Sequence, residues 1–123
     1  MAKGGERMNT PTITFPGEDY QRVKDGEITC VIRPASQKLY LSVYDWIPIL
    51  FNDTNDNVMV EIEDINFTMF KNLNLNTALK CGFNSVNECK RELVERYPTL
   101  DNASRLYIYS FFVVGVSEKI VGS

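Results

Sequence analysis

The stretch Gly26-Glu27-Ile28-Thr29-Cys30-Val31-Ile32-Arg33 constrains the fold of this chain more than any other. Just before it, Glu18-Asp19-Tyr20-Gln21-Arg22-Val23-Lys24 carries acids early and bases late, the order a helix dipole favours. Gly26 then stands where a helix C-terminus needs a residue of positive φ. Ile28 to Arg33 alternates and is rich in β-branched side chains, so a strand is expected directly after the helix. Pro34 ends it.

The rest of the chain continues this mixture. Leu39 to Tyr44 and Trp46 to Phe51 read as two further extended runs, and Pro48 marks the second as an edge or a bulged strand. Asn52-Asp53-Thr54-Asn55-Asp56-Asn57 is a turn by composition. Val58 to Asp64 alternates cleanly, which buries its apolar face and leaves its acids in water. Leu73 to Cys81 suits a short helix ended by Gly82. Ser85-Val86-Asn87-Glu88 has the form of a capping box and opens a helix through Arg96, with Val86, Cys89 and Leu93 as its apolar stripe. Arg105 to Val114 is the strongest strand signal of all. Residues 1–12 are polar and glycine-bearing and are expected to be flexible, with 13–116 forming one domain and 117–123 a tail.

Absences narrow the chemistry. The chain has no histidine, which excludes Ser-His-Asp and Cys-His mechanisms and most catalytic zinc sites. Its net charge of −3 argues against tight, sequence-blind binding to long nucleic acid, which needs a basic face. No basic residue lies between Lys38 and Lys71, where Asp45, Asp53, Asp56, Glu61, Glu63 and Asp64 are acidic. Asp53, Asn55 and Asn57 loosely echo a calcium loop, but Val58 takes the position that demands glycine and no glutamate closes it. A plain turn is expected, with no metal and no cofactor. No apolar run reaches ~18 residues, so no membrane span is expected. Cys30, Cys81 and Cys89 are far apart and form no evident disulfide framework, which suggests a reduced, cytoplasmic protein. Cys81 as a nucleophile would need activation by a lysine such as Lys80, and an inert thiol is the simpler reading.

Taken together, these motifs resemble ASCH domains, a branch of the PUA-like β-barrels. Gly26 and Arg33 match the ends of the family's Gly-x-Lys-x-x-x-x-Arg signature. Asp45 precedes an apolar strand as the aspartate of the family's Gly-Asp turn does, although Tyr44 replaces the glycine. Gly82-Phe83-Asn84-Ser85 followed by Glu88 resembles the Gly-Phe-x-Ser-x-x-Glu start of the family's late helix. Tyr97-Pro98 and the aromatic final strand resemble its closing segment. The resemblance runs from about Phe15 to Val114 and implies an α+β fold: a mixed, partly closed β-barrel of about five strands flanked by two or three helices. Family members that hydrolyse N4-acetylcytidine use a lysine, a threonine and a glutamate. Here the lysine position is Ile28, the threonine position is Val31, and the glutamate falls near Cys81. Ile28 and Val31 can neither transfer protons nor activate a nucleophile, so inherited amidohydrolase activity is not expected.

An extended strand puts Thr29, Val31 and Arg33 on one face and Cys30 and Ile32 on the other. The resemblance turns the first face into a cleft beside the barrel, where Arg33 would hold a phosphate or a base edge and Thr29 would add a hydrogen bond. Lys24, Gly26, Thr29 and Arg33 are thus the expected ligand-binding set. The plainer reading makes Thr29 a good strand former and Arg33 a solvated strand end. Tyr107, Tyr109 and Phe111 share a face of the last strand: exposed they would stack bases, buried they are core, which is commoner. The expected function is a catalytically diverged module that binds a nucleotide or short RNA element in its cleft. Two alternatives stay open: a regulatory protein whose acidic surface contacts a protein partner, and a modified-nucleoside hydrolase with relocated groups such as Lys24 or Thr29.

Overall fold

Residues 11–116 are described by a computed structural model, in which one five-stranded mixed sheet carries three helices. The strands are β1 (Ile13–Phe15), β2 (Cys30–Pro34), β3 (Trp46–Phe51), β4 (Asn57–Met69) and β5 (Arg105–Val116), in the order β1-β3-β4-β5-β2. β1 runs parallel to β3, and every other pairing is antiparallel. The helices are α1 (Tyr20–Lys24), α2 (Leu75–Lys80) and α3 (Val86–Arg96). Residues 1–10 and 117–123, which include most of the expected flexible segment and the tail, lie outside the described residues.

The sheet curls because β4 is long and irregular. It pairs with β3 through its first half and with β5 from Val58 to Met69. Register shifts at Met59/Val60 and Ile62/Asp64 bend the ladder, as bulges do by increasing local twist. Val58, Val60 and Ile62 point inward as their alternation requires, joined by Ile47 and Ile49 of β3 and Tyr109 and Phe111 of β5. Ile13 from one edge strand and Val31 from the other share this cluster, the mark of a sheet rolled toward closure. The result is a half-barrel. A second cluster fills the outer side, where Ile32 and Leu106 meet Phe70, Leu73, Ala78, Cys89 and Leu93 under α2 and α3.

Local signals behave as expected. Gly26 has φ of +81° and Gly82 of +93°. The Ser85 Oγ accepts from the Glu88 N–H at 3.0 Å, and Glu88 Oε1 accepts from the Asn84 N–H at 2.7 Å. The expected 28–33 and 105–114 strands join one sheet, with Val31 opposite Tyr109. Three expectations need correction. Leu39 to Tyr44 is a loop rather than a strand: its Leu39 backbone is bonded to the Tyr109 hydroxyl, and Tyr44 takes φ of +79°. β3 is an inner strand, although Pro48 precedes the first β1 pair at Ile49 and so faces a second strand only on the β4 side. Strand β4 also runs five residues past Asp64, to Met69, over sequence that shows no clear alternation.

The two glycines yield a graded test. An alanine at Gly26 meets nothing within 4 Å and is disfavoured only by its positive φ, a cost of about 1–2 kcal/mol. At Gly82 the added Cβ also comes within 2.9 Å of Ile28 Cγ1, whose side chain is buried. Overpacking adds about 1–3 kcal/mol there. Urea denaturation should rank Gly82→Ala clearly below Gly26→Ala in stability; equal losses would contradict the packing of Ile28 against this turn.

Candidate functional site

Because the half-barrel does not close, β1 and β2 face each other across an open seam. Thr14 and Phe15 of β1, Asp19 and Arg22 around α1, residues 30–33 of β2, and Glu88, Glu92 and Arg96 of α3 line a cleft of about 240 Å³ there. Its floor is apolar. Ile28 and Val31, at the resemblance's lysine and threonine positions, are both buried, and Cys30 and Cys81 lie beside them.

Those two cysteines are bonded to each other, with Cα atoms 5.0 Å apart. The expectation of three unpaired thiols is therefore wrong. A separation of 51 residues hides the pair in sequence, but the Thr29 N–H donates to the Lys80 carbonyl at 2.8 Å and so pins the end of α2 against β2. Cys89 is the free cysteine among the described residues, on the buried face of α3, where desolvation pushes its thiol up to about 11.

The cleft walls carry charge of both signs. Arg33 is half-buried and donates from Nη1 to the Ile32 carbonyl at 3.1 Å. Among the described residues no carboxylate pairs with it. Burial pulls its pKa below the ordinary arginine value; Tyr97 and Tyr109 oppose this, while the charge of Arg96 adds to it. Arg96 itself is exposed in the last turn of α3. Arg22 is held differently: Nη2 donates to the Gly82 carbonyl at 2.8 Å, Nε lies 3.2 Å from Glu27 Oε1, and Asp19 Oδ1 is 4.0 Å from Nη1. Burial raises the Asp19 pKa, Arg22 and Arg96 pull it back, and Glu18 pushes it up.

Of the four expected ligand residues, only Arg33 lines this cleft. Lys24, Gly26 and Thr29 line a separate hollow of about 160 Å³ with Phe111 and Val113. The alternation of β2 is as expected, with Val31 in the inner cluster and Ile32 in the outer one. Sequence reasoning missed Asp19, Arg22 and Arg96 as cleft residues. The i, i+3 spacing of Asp19 and Arg22 was a usable signal; nothing in the sequence placed Arg96 near β2. Tyr109 and Phe111 are core, each 1% exposed, while Tyr107 stays at the rim. Several acids of the basic-free stretch have local partners: Asp45 accepts from the Ser42 N–H, Glu61 from the Trp46 indole and Asp64 from Asn66. No group of three or more metal-ligating side chains occurs among the described residues, and no described helix is long and apolar enough to cross a membrane.

The architecture has close counterparts among solved structures. An ASCH domain from Lactobacillus crispatus superposes with a TM-score of 0.67 over 94% of this chain and 87% of its own, at 14% identity. The fold is that of an ASCH domain. A protein from Enterococcus faecalis gives the same TM-score and identity over 93% and 86% of the two chains. An ASCH protein from Zymomonas mobilis gives 0.60 at 13% identity over 81% and 64%. No family model and no curated protein matches the sequence. In this ASCH fold the seam between β1 and β2 is the one described cleft that gathers Arg22, Arg33 and Arg96.

The cysteines can be checked directly. Without reductant, alkylation should label none in the folded protein and Cys89 alone after unfolding; labelling of all three would refute the bond. Reduction should lower stability by roughly 2–4 kcal/mol, read as a lower melting temperature. Because folded Cys89 holds its proton more tightly than the unfolded thiol, its contribution is full below pH 9.0 and is lost as pH rises toward about 11.

Proposed function

We propose that this ASCH fold serves as a catalytically diverged module that binds a nucleotide or a short RNA element in the cleft between β1 and β2. One observation carries the reading: Arg33 is a partly desolvated cation with no carboxylate partner among the described residues. A cation removed from water without a counter-ion is costly, and an anion entering the cleft would offset that cost. Arg96 adds a second positive charge from α3. Asp19, Glu88 and Glu92 on the same walls would repel a long polyanion, which favours a ligand with one or two phosphates. Ile28 and Val31 offer an apolar floor for a base or a ribose and no group for proton transfer. Lys24, Gly26 and Thr29 enter this reading only for an RNA long enough to reach the second hollow. A cytoplasmic setting accords with such a ligand.

A second reading, the hydrolase with relocated groups, draws on Asp19. A carboxyl raised by burial inside a cleft is the kind of group that serves as a general acid or base. Steady release of acetate from N4-acetylcytidine, abolished by Asp19→Asn, would favour it over simple binding. The reading through an acidic surface has less support, since Asp45, Glu61 and Asp64 already serve local hydrogen bonds.

The deciding measurement is a calorimetric titration with nucleoside monophosphates and short RNAs. Arg33→Ala should weaken binding about tenfold to hundredfold, the value of a charge-assisted pair of roughly 1.5–3 kcal/mol, while circular dichroism stays unchanged. Affinity should be micromolar at best, with a shallow salt slope that reflects few phosphate contacts. If wild type binds none of these probes, or binds equally well without Arg33, the reading fails.

A further inference from the structure

Beyond the cleft, an exposed aromatic group remains that the core does not explain. Phe67 of β4 stands directly opposite Tyr107 of β5, their ring centroids 6.4 Å apart, and Phe67 is 73% exposed. Tyr107 in turn lies 6.2 Å from the core ring of Tyr109, only 28° from parallel. Lys38, from the loop after β2, holds its Nζ 5.2 Å from the Tyr107 centroid and 5.6 Å from that of Tyr40. Tyr40 is 81% exposed. Phe67, Tyr107, Lys38 and Tyr40 thus form one continuous surface.

A cross-strand aromatic pair contributes to sheet stability, which accounts for Phe67 against Tyr107. It does not account for Tyr40, whose ring covers no core residue and stays in water. The charge of this face limits what could cover it. By strand alternation Met69 and Arg105, opposite each other, lie on the same side as Phe67 and Tyr107, and Arg33 stands opposite Tyr107 in the β2–β5 ladder. Arg33, Lys38 and Arg105 are thus three cations set beside the rings, while Asp64 and Lys80 share a hollow with Phe67. Flat π faces interleaved with cations suit a ligand that is both planar and negatively charged: bases stack on the rings while the cations meet the backbone. A neutral or basic peptide would gain nothing from the three cations.

We propose that Phe67, Tyr107, Tyr40 and Lys38 form a stacking platform for unpaired bases of a single-stranded nucleic acid, continuous with the cleft through Arg33. The proposal rests on the nucleotide reading of the cleft and extends it: one nucleotide occupies the seam, and its neighbours lie across the rim of the sheet. The Asp and Glu side chains inside the cleft do not oppose this, because the platform lies outside them.

The test compares three probes by fluorescence anisotropy: a nucleoside monophosphate, single-stranded hexanucleotides of RNA and of DNA, and a blunt duplex. Single strands should bind more tightly than the monophosphate, and the duplex, whose bases are already stacked, should not. Phe67→Ala and Tyr40→Ala should each weaken the single strands roughly fivefold to hundredfold while leaving the monophosphate unchanged. Phe67→Trp should restore the wild-type value. The two exposed positions carry the test because truncating Tyr107 risks the sheet itself. Preference for the RNA over the DNA hexamer, or equal binding of both, supports the platform and identifies its source. Single strands that bind no better than the monophosphate, a duplex that binds as well, or two alanine variants without effect would overturn the platform and leave the cleft reading standing. Failure of every probe would overturn both.

Discussion

The antiparallel pairing of β4 with β5 is the constraint on which the rest of this molecule depends. It runs from Val58 opposite Val116 to Met69 opposite Arg105, and it is broken twice by register shifts. A flat ladder of that length would carry β1 and β2 far apart. The shifts roll it instead, so that Ile13 and Val31, from opposite edges, reach one apolar cluster. At the seam between those edges the inner cluster approaches solvent beside charged side chains, and the seam exists because the roll stops short of closure.

The seam is held open by interactions that are individually ordinary. Arg22 ties α1 to the turn after α2 by donating to the Gly82 carbonyl, and Gly82 lacks the Cβ that would displace Ile28 below it. The Cys30–Cys81 bond joins β2 to that same turn covalently. Arg33 differs from these. It is positioned by its strand, partly withdrawn from water, and given only a neighbouring carbonyl. Arg22 has carboxylate partners, whereas Arg33, without one among the described residues, lines the space a ligand would fill.

Features determined within a few residues were legible in the sequence. The positive-φ glycines, the Ser85 cap, the alternation of Val58 to Ile62 and the final aromatic strand need no knowledge of what they touch, and their order carried the fold. Features decided by distant contacts were not legible. β1 has three residues and no pattern of its own, and it is a strand because β3 lies beside it. Leu39 to Tyr44 alternates like a strand, yet its Leu39 amide and carbonyl are both taken by the Tyr109 hydroxyl. Arg33 could be reached from its motif, whereas Arg96 and Asp19 come to the cleft from helices whose packing no spacing reveals. The disulfide fell in the same class, being set by the docking of α2 on β2.

The placement of the two edge strands has a consequence for how this protein keeps company with copies of itself. An open sheet normally presents two rows of unpaired amides and carbonyls, each a template on which another chain can add a strand. Here the curl sets the two edge strands on either side of one cleft, whose lining includes Arg22, Arg33 and Arg96. Pro16 directly follows β1 and Pro34 terminates β2, so neither edge can be lengthened past its end by an added ladder. The geometry that creates a recess for a small ligand therefore also guards against edge-to-edge polymerisation.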